Sequence, residues 1–143
     1  MYETLTAFIP FMQSGPFGEW SERVGDGTPE NPYVMCHIIY DEQLSRFNHT
    51  LFEWEREHTE SGQYNFVEVV EKSGIKFDVN SLSTEDFSSW DGKTILAMMR
   101  YVFSMERWSD GLVLEFCKNG CFLRWLQRLK EIDDSNEDAQ SDP

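Results

Sequence analysis

The chain has 143 residues, of which 40% are hydrophobic, a combination typical of one folded domain and not of a disordered acidic protein. Its formal net charge of −14 would repel DNA and RNA, so direct nucleic-acid binding is not expected. No apolar run reaches the roughly 18 residues of a membrane-spanning helix, and the N-terminus lacks the basic residues that open a signal peptide. Three cysteines are a small, odd set, which favours a reducing compartment and predicts a cytoplasmic protein.

Acidic side chains are unevenly distributed along the chain. Residues 1–90 hold 16 acidic and 5 basic side chains, whereas residues 91–132 hold 5 acidic and 7 basic ones. The last eleven residues, 133–143, add five acidic side chains and no basic ones. The negative field therefore comes from the first two thirds and the tail, which predicts attraction to a basic protein partner.

The first part of the chain predicts a broken helix and a small β element. Apolar spacing indicates a helix over residues 2–13, and Pro10 should make it bend or restart near Ile9 because proline removes a backbone hydrogen bond. The apolar, partly β-branched run of residues 33–40 predicts a strand that pairs with residues 19–24.

Capping residues predict the next helices. Asp41 is the expected N-cap of a helix that ends near His58, because its carboxylate can accept from unpaired backbone N–H groups. A shorter helix is expected within residues 62–74, with Asn65 as a cap and Gly74 as the stop. One helical turn is expected over residues 81–87.

The longest helical pattern begins after Asp91, which is its expected N-cap, and its wide apolar face predicts a central position. A sharp connection follows at residues 108–111, and Ser109 or Asp110 is expected to start a helix that ends near Gly120. The final helix is expected to run from Cys121 to Ile132.

Together these elements predict a mainly α fold, a compact bundle of five or six helices with a small β hairpin or strand element near residues 19–39. Residues 1–132 are expected to form a single globular domain. Residues 133–143 are expected to be an acidic, disordered tail, because Ala139 is their only apolar residue.

Several short motifs, in their order along the chain, carry a resemblance. They are Phe8-Ile9-Pro10-Phe11, Gly18-Glu19-Trp20, Asp26-Gly27-Thr28, Pro32-Tyr33-Val34 followed by Tyr40, and Met105-Glu106-Arg107-Trp108-Ser109-Asp110-Gly111-Leu112. The chain resembles the bacterial domain of unknown function 6508 family over roughly Leu5 to Leu129. That family brings no known catalytic residues, so the resemblance implies no activity.

An acidic cluster is the first candidate for a partner-binding surface. It comprises Glu53, Glu55, Glu57 and Glu60, with Glu68, Glu71 and the tail as further members. The helix macrodipole disfavours negative charge at a helix C-terminus by about 0.3–1 kcal/mol per residue, so stability alone does not explain the cluster. It is either a solvated surface that keeps the protein soluble or a docking surface for a basic partner.

A second candidate is an ion-pair corner formed by Glu106, Arg107 and Asp110 at the turn between two helices. Such a cluster would either fasten the turn or present the arginine to a carboxylate or phosphate.

Metal binding and catalysis find little support in the sequence. Cys117 and Cys121 are expected to be small core residues, with a zinc site that includes Cys36-His37 as the alternative. The three histidines, His37, His49 and His58, are scattered. No catalytic residue and no cofactor is predicted.

The sequence therefore predicts a non-enzymatic acidic module that binds a basic protein partner. One version is a phage-borne inhibitor that acts on a host nucleic-acid-targeting system by charge mimicry. The alternatives are a small-ligand-binding protein or enzyme with a pocket near Arg107, and a structural or regulatory subunit.

Overall fold

Helices dominate the computed structural model, which describes residues 1–22, 25–33, 36–59 and 65–141. The elements are α1 (Glu3–Thr6), α2 (Ile9–Ser14), β1 (Gly18–Trp20), β2 (Ile38–Tyr40), α3 (Glu42–His58), α4 (Phe66–Ser73), α5 (Val79–Ser83), α6 (Gly92–Met105), α7 (Leu112–Lys118) and α8 (Cys121–Ser141). Strands β1 and β2 pair antiparallel. The predicted mainly α fold with a small hairpin is confirmed.

Three helices begin at the predicted caps. The side chain of Asp41 accepts from Gln43 N at 2.9 Å, and that of Asn65 accepts from Val67 N at 3.0 Å. The side chain of Asp91 caps α6 in the same way. Each bond satisfies a backbone donor that the first helical turn leaves unpaired.

Two helix breaks also lie where the sequence predicted them. Helix α1 ends at Thr6 and α2 starts at Ile9, so Pro10 lies in the first turn of α2, where its missing N–H group is not needed. Gly74 follows α4 with φ of 73°, a left-handed conformation that glycine adopts without a steric penalty.

The β element is shorter than predicted. Strand β2 covers Ile38–Tyr40, whereas the sequence predicted a strand over residues 33–40. In the hairpin, Trp20 is opposite Ile38, Glu19 is opposite Ile39 and Gly18 is opposite Tyr40. The predicted pairing of residues 19–24 is confirmed for Glu19 and Trp20, and Arg23, Val24, Val34 and Met35 lie outside the described residues.

Two helix starts were predicted at the wrong residue. Helix α5 begins at Val79, before the turn predicted over residues 81–87, because the Asp78 carboxylate accepts from Ser81 N at 2.8 Å. Helix α7 begins at Leu112 with Gly111 as its N-cap residue, and not at Ser109 or Asp110.

The last helix is longer than the helix that the sequence predicted to end at Ile132. Helix α8 continues past Ile132 to Ser141. The Asp133 carboxylate accepts from Tyr2 N at 2.7 Å and lies 3.1 Å from the amino group of Met1. These contacts tie α8 to the N-terminal segment. Although α8 has 21 residues, neither it nor another described helix is long and apolar enough to cross a membrane.

The core is built around α6, as its wide apolar face predicted. This helix contacts α3, α4, α7 and α8. Its inward residues, Ile95, Ala97, Met98, Met99 and Val102, have no exposed surface. Four large aromatic side chains, Phe47, Phe116, Phe122 and Trp125, are equally buried around it. Aromatic residues bury a large area each, so they supply much of the hydrophobic stabilisation here.

Candidate interaction surface

The hairpin packs one of its sides against the turn between α6 and α7, residues 106–111, which we call the corner. Trp20 and Ile38 are cross-strand partners, so their side chains extend from the same side of the hairpin. Both meet Gly111, where an added Cβ would lie 2.9 Å from Cζ2 of Trp20 and 3.0 Å from Cδ1 of Ile38. Gly111 also has φ of 93°, so this position requires glycine on two grounds.

Glu106 connects the corner to the hairpin and to α7. Its Oε2 accepts from Gly111 N at 2.6 Å, and its Oε1 accepts from Val113 N at 3.0 Å. The Tyr40 hydroxyl also donates to Oε1. Glu106 therefore caps the first turn of α7 from outside that helix.

Tyr40 remains a neutral donor in this network. Its burial, the hydrogen bond to Glu106 and the negative charge of that carboxylate all raise the pKa of Tyr40 well above its usual range. The phenol thus keeps the proton that it donates to Glu106 at every physiological pH.

The predicted ion-pair corner does not form within the described residues. Arg107 and Asp110 are both exposed, and neither forms an ion pair with Glu106. The oxygens of Glu106 are instead occupied by two backbone N–H groups and by Tyr40. Tyr40 is 66 residues away in sequence, so no local pattern could identify it as the partner.

Two tryptophans at this end of the molecule are largely exposed, Trp108 at 76% and Trp20 at 51%. Within the described part of the chain, neither indole forms a hydrogen bond or a ring–ring contact. Ile39, on the outer side of the hairpin, is 54% exposed. Exposed large apolar side chains that cluster usually mark an interaction site.

Acidic residues lie close to the two tryptophans in the sequence. Glu19 and Glu22 flank Trp20, and Asp110 follows Trp108 by two residues; all three acids are exposed and none forms an ion pair among the described residues. The hairpin–corner surface consists of the exposed side chains of Trp20, Glu22, Trp108 and Asp110, while the cross-strand partners Glu19 and Ile39 extend from the opposite side of the hairpin. Sequence reasoning missed this surface, because exposure of a tryptophan is not visible in a linear pattern.

Three of the five described glutamates of the acidic cluster predicted on α3 and α4 form ion pairs. Glu53 pairs with Arg56, and Glu68 pairs with Lys72. Glu55 lies 2.8 Å from Nε of Arg100. Glu57 and Glu71 are exposed and without an ion pair in the described chain, and Glu60 lies outside the described residues.

The Glu55–Arg100 pair lies at the boundary of the core. Both side chains are only 19% exposed. The Arg100 guanidinium also lies over two rings, 5.3 Å from the centroid of Phe52 and 5.0 Å from that of Phe66. Arg100 therefore links α6 to α3 and α4 through a carboxylate and two aromatic rings.

The cysteines are separated by the fold. Cys117 and Cys121 lie in the core, as predicted, and burial raises the pKa of their thiols to about 12 and about 11. Cys36 is exposed just before β2. No three histidine, cysteine or acidic side chains among the described residues are grouped so that they could hold a metal ion.

Three clefts are described here by the residues that line them. One of about 450 Å³ lies between α4 and α6 and is lined by Lys72 and Lys93 with Val69 as its one apolar member. One of about 180 Å³ lies beside Arg124 and Arg128. A third, of about 200 Å³, lies between Tyr40 and Phe103. Arg107, near which a ligand pocket was considered, lines none of these.

Comparison with known proteins identifies a family whose function is unknown. A family model described as a family of unknown function, DUF6508, matches residues 2–135. No curated protein and no solved structure matches the chain.

Proposed function

The chain belongs to the family of unknown function DUF6508, and from this premise we propose that it is a non-enzymatic interaction module that binds a basic protein partner. The observation that carries the proposal is the pair of largely exposed tryptophans, Trp20 and Trp108, whose indoles form no hydrogen bond among the described residues and which have acidic neighbours without ion pairs.

The exposed indoles supply affinity in this proposal. Trp108 is 76% exposed, and burying a side chain of this size against a partner contributes roughly 2–4 kcal/mol. Tryptophan is also among the residues that most often dominate the binding energy of interfaces. A partner that covers Trp108 and Trp20 would therefore gain most of its affinity from two residues.

The acidic side chains make the surface selective for a basic partner. Glu19, Glu22 and Asp110 are free to attract cations, and the net charge of −14 extends that attraction over longer distances. Exposed charges are screened by salt, so association with a basic partner should weaken as ionic strength rises.

We propose a cytoplasmic location, supported by the small, odd set of cysteines. In one version of this function, the chain is a phage-borne inhibitor that acts on a host nucleic-acid-targeting system by charge mimicry. The net charge of −14 supports this version. A role as a structural or regulatory subunit would use the same surface. An enzyme or ligand-binding protein with a pocket near Arg107 is the alternative, and the three clefts described above give it no support.

The test uses the immobilised chain and a bacterial lysate, at low and at high ionic strength. Recovery of a basic protein at low salt only, followed by direct binding of that purified protein, is the expected result. Binding should be lost in the Trp20→Ala/Trp108→Ala variant.

A test variant and a matched control each replace two exposed acidic residues that form no ion pair among the described residues. Glu22→Gln/Asp110→Asn alters the hairpin–corner surface and should weaken binding severalfold, whereas Glu57→Gln/Glu71→Gln alters α3 and α4 and should not. Binding that is indifferent to salt, or that responds equally to both charge variants, would contradict the proposal.

A further inference from the structure

A cleft of about 200 Å³ lies behind the hairpin and shares Tyr40 and Glu106 with the corner network. Its lining residues are Tyr40, Leu44, Ser45, Asn48, Phe103, Glu106 and Val113. Pockets for cofactors and drug-sized ligands usually measure about 300–1,000 Å³. This cleft has the volume of about six or seven water molecules, at about 30 Å³ each, and therefore suits a single side chain.

The cleft is negative. Glu106 is the one charged residue of its lining, and its carboxylate accepts three hydrogen bonds. No lysine, arginine or histidine contributes to this lining. A cationic group would therefore enter it more readily than an anion of the same size.

The cleft is also lined by a residue that has an unsatisfied acceptor. Oδ1 of Asn48 is buried and has no hydrogen-bond partner among the described residues. A buried acceptor without a partner costs about 1–3 kcal/mol. Because this oxygen has almost no accessible surface, a ligand in the cleft can donate to it only when the Asn48 amide turns toward the cleft, and the hydroxyl of Ser45 offers a further acceptor.

Elsewhere in this protein, two aromatic rings and a glutamate bind a guanidinium group. The Arg100 guanidinium lies between the rings of Phe52 and Phe66 and 2.8 Å from Glu55. The cleft offers the same chemistry, two aromatic rings and a glutamate, but without a cation among its lining residues.

We infer that the cleft between Tyr40, Asn48 and Phe103 binds a guanidinium group, the side chain of an arginine that the basic partner inserts. The inference rests on the proposed function and deepens it by naming the group that is recognised. A planar guanidinium stacks on aromatic rings and donates to several acceptors at once, whereas the compact, strongly hydrated ammonium of lysine does neither well.

The test titrates the intact protein with ethylguanidinium and follows the methyl resonances of Leu44 and Val113 by NMR. Saturable shifts confined to the residues around the cleft are expected. Ethylammonium at the same ionic strength should bind severalfold more weakly, and neutral ethylurea should cause no saturable shift. Equal responses to all three compounds, or shifts spread over the whole protein, would overturn the inference.

Two variants of Asn48 sharpen the test. Asn48→Asp adds a negative charge at the cleft and should tighten ethylguanidinium binding severalfold, while Asn48→Leu removes the acceptor and should weaken it severalfold. The matched controls are Asn80→Asp and Asn80→Leu, since Asn80 is exposed on α5 and distant from the cleft lining. Circular dichroism establishes that each variant is folded. Affinity that does not change in the Asn48 variants would exclude the cleft as the site.

This inference and the proposed function fail separately. If a basic peptide binds the hairpin–corner surface equally well with arginine or with lysine, and equally well to Asn48→Leu, the module function stands and the guanidinium site is wrong. If ethylguanidinium binds in the cleft but no basic protein or peptide is retained, the site stands and the proposed function is wrong.

Discussion

The hydroxyl of Tyr40 donates a hydrogen bond to the carboxylate of Glu106, a residue 66 positions later in the chain. The same carboxylate accepts from the backbone N–H groups of Gly111 and Val113. One side chain thus joins the hairpin, the corner and the first turn of α7. It holds the two exposed tryptophans in place, since Trp20 lies on the hairpin and Trp108 lies in the corner.

Removal of the Glu106 carboxylate should destabilise the fold. Glu106→Ala is expected to lower the free energy of unfolding by about 2–4 kcal/mol, because two backbone N–H groups and the Tyr40 hydroxyl lose their acceptor. Glu106→Gln keeps one carbonyl oxygen and should lose less. Urea denaturation measures both. Glu115→Ala, at an exposed position of α7, is the control and should change the unfolding free energy little.

A methyl group at Gly111 should destabilise the fold more than one at Gly74. Both glycines have positive φ, 93° and 73°, so alanine is strained at either position. At Gly111 the new Cβ would also meet Trp20 and Ile38 within 3.0 Å, whereas nothing lies within 4 Å at Gly74. Gly111→Ala is expected to lower the unfolding free energy by about 1–3 kcal/mol more than Gly74→Ala. Equal losses would show that the hairpin does not press on the corner.

The Glu55–Arg100 pair should contribute measurable stability. Both side chains are 19% exposed, so water screens the pair less than it screens a surface pair. A double-mutant cycle with Glu55→Gln and Arg100→Met is expected to give a coupling energy of about 1–3 kcal/mol. The control cycle uses Glu42 and Arg46, which are 79% and 66% exposed, and should give almost no coupling. Similar coupling in both cycles would refute the assignment.

Thiol reactivity should distinguish Cys36 from the other cysteines. Cys36 is exposed, whereas Cys117 and Cys121 are buried with thiol pKa values raised to about 12 and about 11. An aromatic disulfide reagent at pH 8 is expected to modify Cys36 alone in the folded protein and the other two only in denaturant. Cys36→Ser should abolish the reaction of the folded protein. Modification of this variant before unfolding would argue against a closed core.

The same pKa shifts predict a loss of stability at alkaline pH. In the unfolded chain the thiols of Cys117 and Cys121 ionise near their ordinary pKa of 9.0, and burial raises the folded-state pKa above it. Their contribution to stability is therefore complete below about pH 8 and is lost progressively as pH rises through about 9 toward 12. Urea midpoints at pH 7 and pH 10 measure the loss. The Cys117→Ala/Cys121→Ala variant should show a smaller difference between the two midpoints than the natural chain.

The sequence by itself determined the local features of this protein. The caps at Asp41, Asn65 and Asp91, the restart of the helix near Pro10 and the stop at Gly74 were all predicted. Each depends on a residue and a backbone group only two to four positions apart, so the linear order contains the whole interaction. The central position of α6 was also predicted, because a wide apolar face can be read from helical spacing.

Only the tertiary structure decided which charges are free. The acidic cluster on α3 looked like a surface in the sequence, but Arg100 reaches Glu55 from another helix, 45 residues later. Glu106 looked like a member of an ion-pair corner, but Tyr40 and two backbone donors occupy it. Asp133 looked like the start of a tail, but it binds Tyr2 N across 131 residues. Partners so distant in sequence are chosen by the packing of helices against each other, and that packing leaves Trp20 and Trp108 exposed.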